Sequence, residues 1–276
     1  MILINGLPED RIDARDRGLQ YGDGLFETIA FRQNHLELLD AHLARLQLGC
    51  KRLKLSVTSS DICLIKTELQ QITSALQNDA VIKIVLTRGV GGRGYQYAEN
   101  IPLTRIISSH PMPEYPPSHQ QGVDIRICEQ RLAINPQLAG IKHLNRLEQV
   151  LARNEWRDSR IAEGLMLDTS ARLVEGTMSN ILLFKNDELF TPDLTQCGID
   201  GVMRNLLLAY ARQQDWSVYE TQLTLDDLLT ADECLLCNSV IGVWPIKHII
   251  GQDRQWPHGP ITQKLQQWLS QAIMHA

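Results

Sequence analysis

The sequence predicts an α+β protein of two domains. Its 276 residues are enough for one large or two ordinary cores. Short strand-like runs gather into meanders and stand apart from the helical stretches, which argues against a doubly wound sheet. One proline-rich stretch, Pro111-Met112-Pro113-Glu114-Tyr115-Pro116-Pro117, lacks periodicity and backbone donors, as a connection between domains does. The expected division is a small N-terminal α+β domain over 1–112, a linker over 113–122 and a larger C-terminal α+β domain over 123–276.

The elements follow in order. Met1 to Asn5 reads as a short strand closed by the turn signal Asn5-Gly6. Gly24 to Arg32 is strand-like, and Arg32-Gln33-Asn34-His35 turns it toward Leu36. Asp40 is placed to cap a helix whose Leu43, Leu46, Cys50 and Leu53 share a face, with Arg45 on another. Val81 to Arg88 alternates as a strand and runs into the glycine-rich loop Gly89 to Gly94. Beyond the prolines come a strand at Val123 to Cys128, an amphipathic helix from Leu144 to Trp156, and strands at Gly164 to Leu167, Ile181 to Phe184 and Glu188 to Phe190. A helix from Val202 to Arg212, strands at Val218 to Thr221, Cys234 to Leu236 and Pro245 to Ile249, and a helix opened by Pro260 complete the pattern.

Composition excludes several function classes. Hydrophobic residues make up 43% and charged residues 21%, ordinary for a globular protein. A net charge of −5 gives no field favouring nucleic acid or an anionic membrane, so substrate anions must be held by local groups. No apolar run reaches the ~18 residues of a membrane span, and no basic leader opens the chain, so a cytoplasmic location is expected. The six cysteines are too scattered for a disulfide framework. Cys234 and Cys237 read as residues of a buried strand, and neither they nor His35, His42 and His248 make a metal pattern.

Four blocks carry chemistry: Asp16-Arg17-Gly18-Leu19-Gln20-Tyr21-Gly22-Asp23-Gly24-Leu25-Phe26-Glu27-Thr28, then Gly140-Ile141-Lys142-His143-Leu144-Asn145-Arg146-Leu147-Glu148-Gln149, then Glu175-Gly176-Thr177-Met178-Ser179-Asn180, and Gly198-Ile199-Asp200-Gly201-Val202-Met203-Arg204. A lysine at the mouth of a helix, followed by a lone acid opening a Gly-Thr-x-Ser-Asn turn, is the pair that pyridoxal 5′-phosphate (PLP) chemistry needs. The amine takes the cofactor aldehyde, and a buried carboxylate keeps the pyridine nitrogen protonated so that the ring accepts electrons. Taken singly, each residue is ordinary, since most lysines are solvated and most Glu-Gly pairs are turns.

In this order the blocks resemble the fold-type IV PLP family, which contains branched-chain aminotransferases, D-amino acid aminotransferases and 4-amino-4-deoxychorismate lyases. The similarity covers nearly the whole chain. Within the family, Gly89 to Tyr95 and Ala139 to Val150 most resemble the lyases. The resemblance implies a D-amino acid aminotransferase-like fold with the cofactor site between the two domains. It implies that Lys142 and Glu175 both bind PLP and act in catalysis, and that the Val202 and Met203 amides, Ser239, Asn180 and Arg45 complete the cofactor contacts. The turn before Val202 suits a phosphate independently, because free amides open the helix that follows.

The glycine loop is no P-loop, lacking a Gly-Lys-Ser/Thr ending, and no helix starts within it as a dinucleotide fingerprint requires. It is assigned to substrate: Arg93 offers a carboxylate a forked pair of bonds, with Tyr95 beside it. A mobile hairpin tip with an incidental arginine is the bland alternative. Thr28 and Asn238 join the substrate set, Thr28 also as a proton relay, although threonine is a good strand former in any case. Leu147 stands where branched-chain enzymes carry a tyrosine, a departure from the aminotransferase pattern. The implied reaction converts 4-amino-4-deoxychorismate to 4-aminobenzoate and pyruvate, a step of folate biosynthesis. The rivals are a D-amino acid or branched-chain aminotransferase on the same scaffold and a PLP-free binding protein. Homodimers are usual in the family, so a homodimer is expected.

Overall fold

The computed structural model describes residues 1–273 and divides the chain into two compact units. The first comprises residues 1–113 with the short segment Ile141–Asn145, and the second comprises 114–140 and the chain from Arg146 onward.

In the first unit, β1 (Ile2–Ile4), β2 (Leu7–Pro8), α1 (Arg17–Tyr21), β3 (Gly24–Arg32), β4 (His35–Leu36), α2 (Leu39–Leu53), α3 (Ser59–Thr73), β5 (Ala80–Thr87) and β6 (Thr104–Pro111) follow one another. The strands form one antiparallel sheet in the order β2-β1-β6-β5-β3-β4. Leu43 and Leu46 of α2 and Ile65, Leu69 and Ile72 of α3 are buried along with strand residues Ile29, Ile82, Ile84 and Ile107.

Three local expectations are corrected. Asp40 is not the cap of α2: Leu38 holds that place in a left-handed conformation, and Asp40 lies in the first turn, where its charge meets the positive helix end. Helix α3 was not anticipated, although Thr58 and Asp61 form a reciprocal capping box at its start. The segment around Lys142 is not the mouth of a helix. It runs alongside β3, where Phe26 N–H donates to Lys142 O (2.9 Å) and Leu144 N–H to Gly24 O (3.0 Å). β4 pairs only with Phe31 and Arg32, so the start of β3 offers an open edge that this segment covers.

In the second unit, a 3₁₀ turn (Pro117–Gln120) leads to β7 (Val123–Leu132), α4 (Leu147–Arg153), β8 (Ile161–Asp168), β9 (Leu173–Gly176), β10 (Asn180–Lys185), β11 (Glu188–Pro192), α5 (Val202–Gln213), β12 (Ser217–Thr221), α6 (Leu225–Leu229), β13 (Glu233–Asn238), β14 (Gly242–Ile249) and α7 (Pro260–Ala272). They build an eight-stranded mixed sheet in the order β12-β11-β10-β13-β14-β7-β8-β9. Leu173 on the last strand donates to Leu223 O (2.8 Å), just past β12, so the sheet curls until its edges meet. Ile125, Leu165, Ile181, Leu236, Trp244 and Ile246 fill its core. The proline-rich stretch is mostly exposed, with the Tyr115 ring edge-on to Trp244 at 4.7 Å. Helix α4 begins at Leu147, three positions later than the expected Leu144, because the residues before it follow β3. Cys234 and Cys237 lie buried in β13, where burial pushes the Cys237 thiol up to about 12. No described helix is long and apolar enough to cross a membrane.

Candidate active site

Within the second unit, the turn Gly198–Gly201 gathers the predicted groups. Glu175 on β9 is 3% exposed. Its Oε2 accepts Ile199 N–H at 2.8 Å, and its Oε1 lies 3.5 Å from Gln149 Nε2 on α4. The same turn is bonded to Gly140, whose N–H donates to Gly198 O (2.9 Å) and whose carbonyl accepts Asp200 N–H (3.0 Å). Asn180, opening β10, donates Nδ2–H to Ile199 O (2.9 Å). Its Oδ1 stands 1.9 Å from where a Cβ on Gly201 would lie, so no other residue fits there. Gly201 then begins α5 without a side-chain cap. The amides of Val202 and Met203, both buried, find no acceptor inside the helix. Buried Arg204 anchors this helix start through Thr191 Oγ1, Pro192 O and Glu220.

The register Asn180↔Cys237 brings Asn238 and Ser239 to the same end of the sheet. Asn238 closes the turn there: its Oδ1 accepts Val240 and Ile241 N–H, both at 2.8 Å, and its Nδ2–H donates to Met178 O (2.9 Å). Asn238 therefore shapes the turn that carries half-buried Ser239. The neighbouring Thr177–Ser179 turn is held by Glu163, whose carboxylate accepts the Thr177 and Met178 amides and both hydroxyls.

Within the first unit, Lys142 Nζ lies 4.4 Å from the centroid of the Phe26 ring. Alternation along β3 places half-buried Thr28 on the same face as Phe26 and Glu27 on the other. Glu27 is buried and takes two bonds from Arg45, from Nε at 2.9 Å and from Nη2, and one from His42 Nδ1 at 2.7 Å. Burial pushes Glu27 up, but the His42 and Arg45 hydrogen bonds and the Arg45 charge outweigh it and hold the group below the usual carboxylate range. His42 is wholly buried, and burial outweighs the pull of Glu27 and keeps its pKa low. The imidazole is then neutral and gives its Nδ1 proton to the carboxylate. Arg45, expected to meet a phosphate, thus has its guanidinium orientation set by Glu27.

Arg93 is exposed and Tyr95 is 86% exposed. Gly92 and Gly94 border open space, whereas Gly91 packs on Arg17. The buried side chain of Arg17 bonds the carbonyls of Gly94 and Tyr95. Four contributors escaped the sequence: Glu27, Gln149, Glu163 and Arg17. Arg17 and Glu27 lie inside the first block and Gln149 closes the second, and the Thr-x-Ser spacing at 177–179 asks for an acceptor, but nothing local names Glu163. Among the described residues no group of three or more His, Cys, Asp or Glu could hold a metal.

These residues fit PLP: an uncapped helix start beside a glycine that admits no side chain suits a phosphate, and a buried carboxylate suits a pyridine nitrogen. Residues 24–249 match the family described as amino-transferase class IV, and the chain belongs to that family, a PLP-dependent one with this α+β fold. An aminodeoxychorismate lyase of Vibrio harveyi is 38% identical over 271 residues, covering 96% of this chain and 98% of its own. The crystal structure of 4-amino-4-deoxychorismate lyase from Pseudomonas aeruginosa is 46% identical, with a TM-score of 0.93 and 98% of each chain covered. A hypothetical aminotransferase from Mycobacterium tuberculosis, in its PLP-bound form, shares the fold at 18% identity and a TM-score of 0.82, covering 99% of this chain and 98% of its own.

Proposed function

We propose that this chain is a PLP-dependent carbon–oxygen lyase that cleaves 4-amino-4-deoxychorismate to 4-aminobenzoate and pyruvate. The observation that carries it is the Gly198–Gly201 turn, which bonds Glu175 through Ile199, leads into the open start of α5, and bonds Gly140. Lys142 follows Gly140 by two residues, so their Cα atoms are at most about 7 Å apart along the chain. On this reading one cofactor meets both Lys142 and Glu175.

When bound, PLP supplies an electron sink for the carbanion formed at the amine-bearing carbon of the substrate. Lys142 holds the cofactor through its amine and, once released, takes the proton from that ring carbon. It returns a proton to the enolpyruvyl methylene, the ring carbon–oxygen bond breaks, pyruvate leaves, and the ring becomes aromatic. Glu175 keeps the pyridine nitrogen protonated. The Val202 and Met203 amides, the Ser239 hydroxyl and Arg45 hold the phosphate, and Asn180 keeps the turn in register. Arg93 meets a substrate carboxylate, with Tyr95, Thr28 and Asn238 completing the substrate side. We place the enzyme in the cytoplasm, as a homodimer, in folate biosynthesis.

The test is to supply aminodeoxychorismate without a keto acid. Pyruvate and 4-aminobenzoate should appear in equal amounts, and borohydride should fix the cofactor to the peptide containing Lys142. Turnover that needs 2-oxoglutarate and accumulates glutamate identifies an aminotransferase and overturns the lyase.

A further inference from the structure

We infer that Arg17, braced by Asp23 and Arg88, is a positioning residue that clasps both ends of the glycine loop and so fixes where Arg93 can meet a substrate carboxylate. This rests on the proposed role of Arg93. The backbone N–H of Arg17 donates to Gly89 O (2.9 Å), at the start of the loop. At the far end its Nη1 and Nη2 donate to the carbonyls of Gly94 (2.9 Å) and Tyr95 (3.1 Å), the two residues after Arg93. Gly94 is held a second time, its N–H donating to Tyr21 Oη at 3.2 Å.

The clasp is itself held rigid. Arg17 Nε bonds Asp23 Oδ2 at 3.0 Å, and Arg88 bonds the same carboxylate through Nε (2.7 Å) and Nη2 (3.0 Å). The remaining Arg88 bonds reach Leu53 O (2.8 Å) and Lys54 O (3.0 Å) at the end of α2. The Arg17 side chain is only 3% exposed. Removing a guanidinium from water is costly, and here it places two donors on the backbone of a loop whose glycines would otherwise leave it mobile. A lysine carries one nitrogen in place of this planar fork and cannot bond Asp23, Gly94 and Tyr95 in the same geometry.

Arg17→Lys and Tyr21→Phe are compared with unmodified holoenzyme in three measurements: the rate of trypsin cleavage after Arg93, KM and kcat for aminodeoxychorismate, and Tm. For Arg17→Lys the clasp predicts cleavage about tenfold faster and KM about tenfold higher, with kcat within about twofold. Tyr21→Phe, the milder change should Arg17→Lys fail to fold, gives a smaller shift in the same direction. Unchanged cleavage, including no cleavage of any form, or a fall in kcat with KM unmoved, overturns the clasp. Arg93→Ala separates the two ideas. If it leaves KM unchanged while Arg17→Lys still speeds cleavage, the carboxylate role of Arg93 fails and the clasp stands as a loop anchor alone.

Discussion

Helices α5 and α7 each start at a glycine packed against a strand residue, Gly201 on Asn180 and Gly259 on Glu233. A Cβ on Gly201 would stand 1.9 Å from Asn180 Oδ1, and one on Gly259 would stand 2.1 Å from Glu233 Cδ. Neither glycine caps its helix with a side chain. At α7 the strand supplies an anion: Glu233 accepts Ile261 N–H (2.9 Å), Thr262 N–H (2.8 Å) and Thr262 Oγ1–H (2.7 Å). At α5 the strand supplies a neutral amide whose Nδ2 is turned onto Ile199 O. The positive end of α7 is satisfied from within, whereas α5 has no side-chain cap at Gly201. With the proposed phosphate contact, the ligand takes at α5 the place that Glu233 fills at α7.

The largest effect expected comes from changing the charge beyond the α5 turn while leaving the helix start alone. Glu175→Gln keeps an oxygen for Ile199 N–H, so the turn and its hold on phosphate survive. Turnover should fall by about 100-fold or more, for want of an anion to keep the pyridine nitrogen protonated. Cofactor content from absorbance should be unchanged. A variant that loses PLP but keeps its rate per bound cofactor would show Glu175 to be structural.

Asn180→Asp builds the α7 arrangement at α5. A carboxylate against Gly201, at the start of α5, would repel a phosphate bound at the proposed Val202 and Met203 amides. PLP affinity, read by titration of the apoprotein, should drop by about 100-fold, or about 2.7 kcal/mol. Tm without cofactor should fall modestly, because the Nδ2–H bond to Ile199 O is lost. Undiminished affinity would break the comparison, since the start of α5 would then not be where the phosphate binds.

The converse change, Glu233→Gln, removes the built-in anion. It should lower stability by about 2 kcal/mol, the scale for hydrogen bonds lost to a buried charged group, while leaving PLP affinity untouched. Chemical denaturation of the apoprotein measures the first and titration the second. A loss of PLP affinity in this variant would show that the two helix ends are coupled.

What the sequence made legible was local. β3 has the expected bounds, Gly24 to Arg32, and α5 begins at Val202 and α7 at Pro260, because periodicity, glycine and proline act on neighbouring residues. Lys142 and Glu175 stood out through the order of the blocks they sit in, not through their own surroundings. β6 escaped: Ser108, Ser109 and His110 break its alternation, and it is a strand because β1 and β5 pair with it on either side. Helix α3 carried its own signals in Thr58, Asp61, Ile65, Leu69 and Ile72, diluted by intervening Ser, Thr and Cys of modest propensity. The hold of Arg17 on Gly94 spans 77 residues and that of Glu163 on Ser179 spans 16, and no local rule pairs them. The helix expected over Leu144 to Trp156 is shorter at both ends, Leu147–Arg153, and its start differs for the same reason, since the open edge of β3 that its expected first residues cover lies far away in the chain.

The smallest expected effect concerns the cation proposed to reach the same phosphate as the α5 amides. Arg45 is aimed by Glu27, and Glu27 is held in turn by His42, with Lys142 the other charge felt at the imidazole. His42 has a folded pKa below its ordinary 6.5 because it is buried. Below about 6.5 the unfolded chain therefore binds a proton that the folded chain refuses, and stability falls as the pH falls. Glu27 acts in the same sense at lower pH: its depressed folded pKa makes its contribution present above about 4.5 and lost on further acidification. The window between about 6.5 and 4.5 isolates the histidine. His42→Gln keeps a donor for Glu27 but cannot titrate, so its stability should decline less steeply than that of the unmodified protein across this window, with the two curves parallel above pH 7. Urea denaturation at half-unit pH steps measures the slopes. Equal slopes would mean that His42 is already protonated in the fold, leaving Glu27 with two cations and Arg45 less firmly held by it.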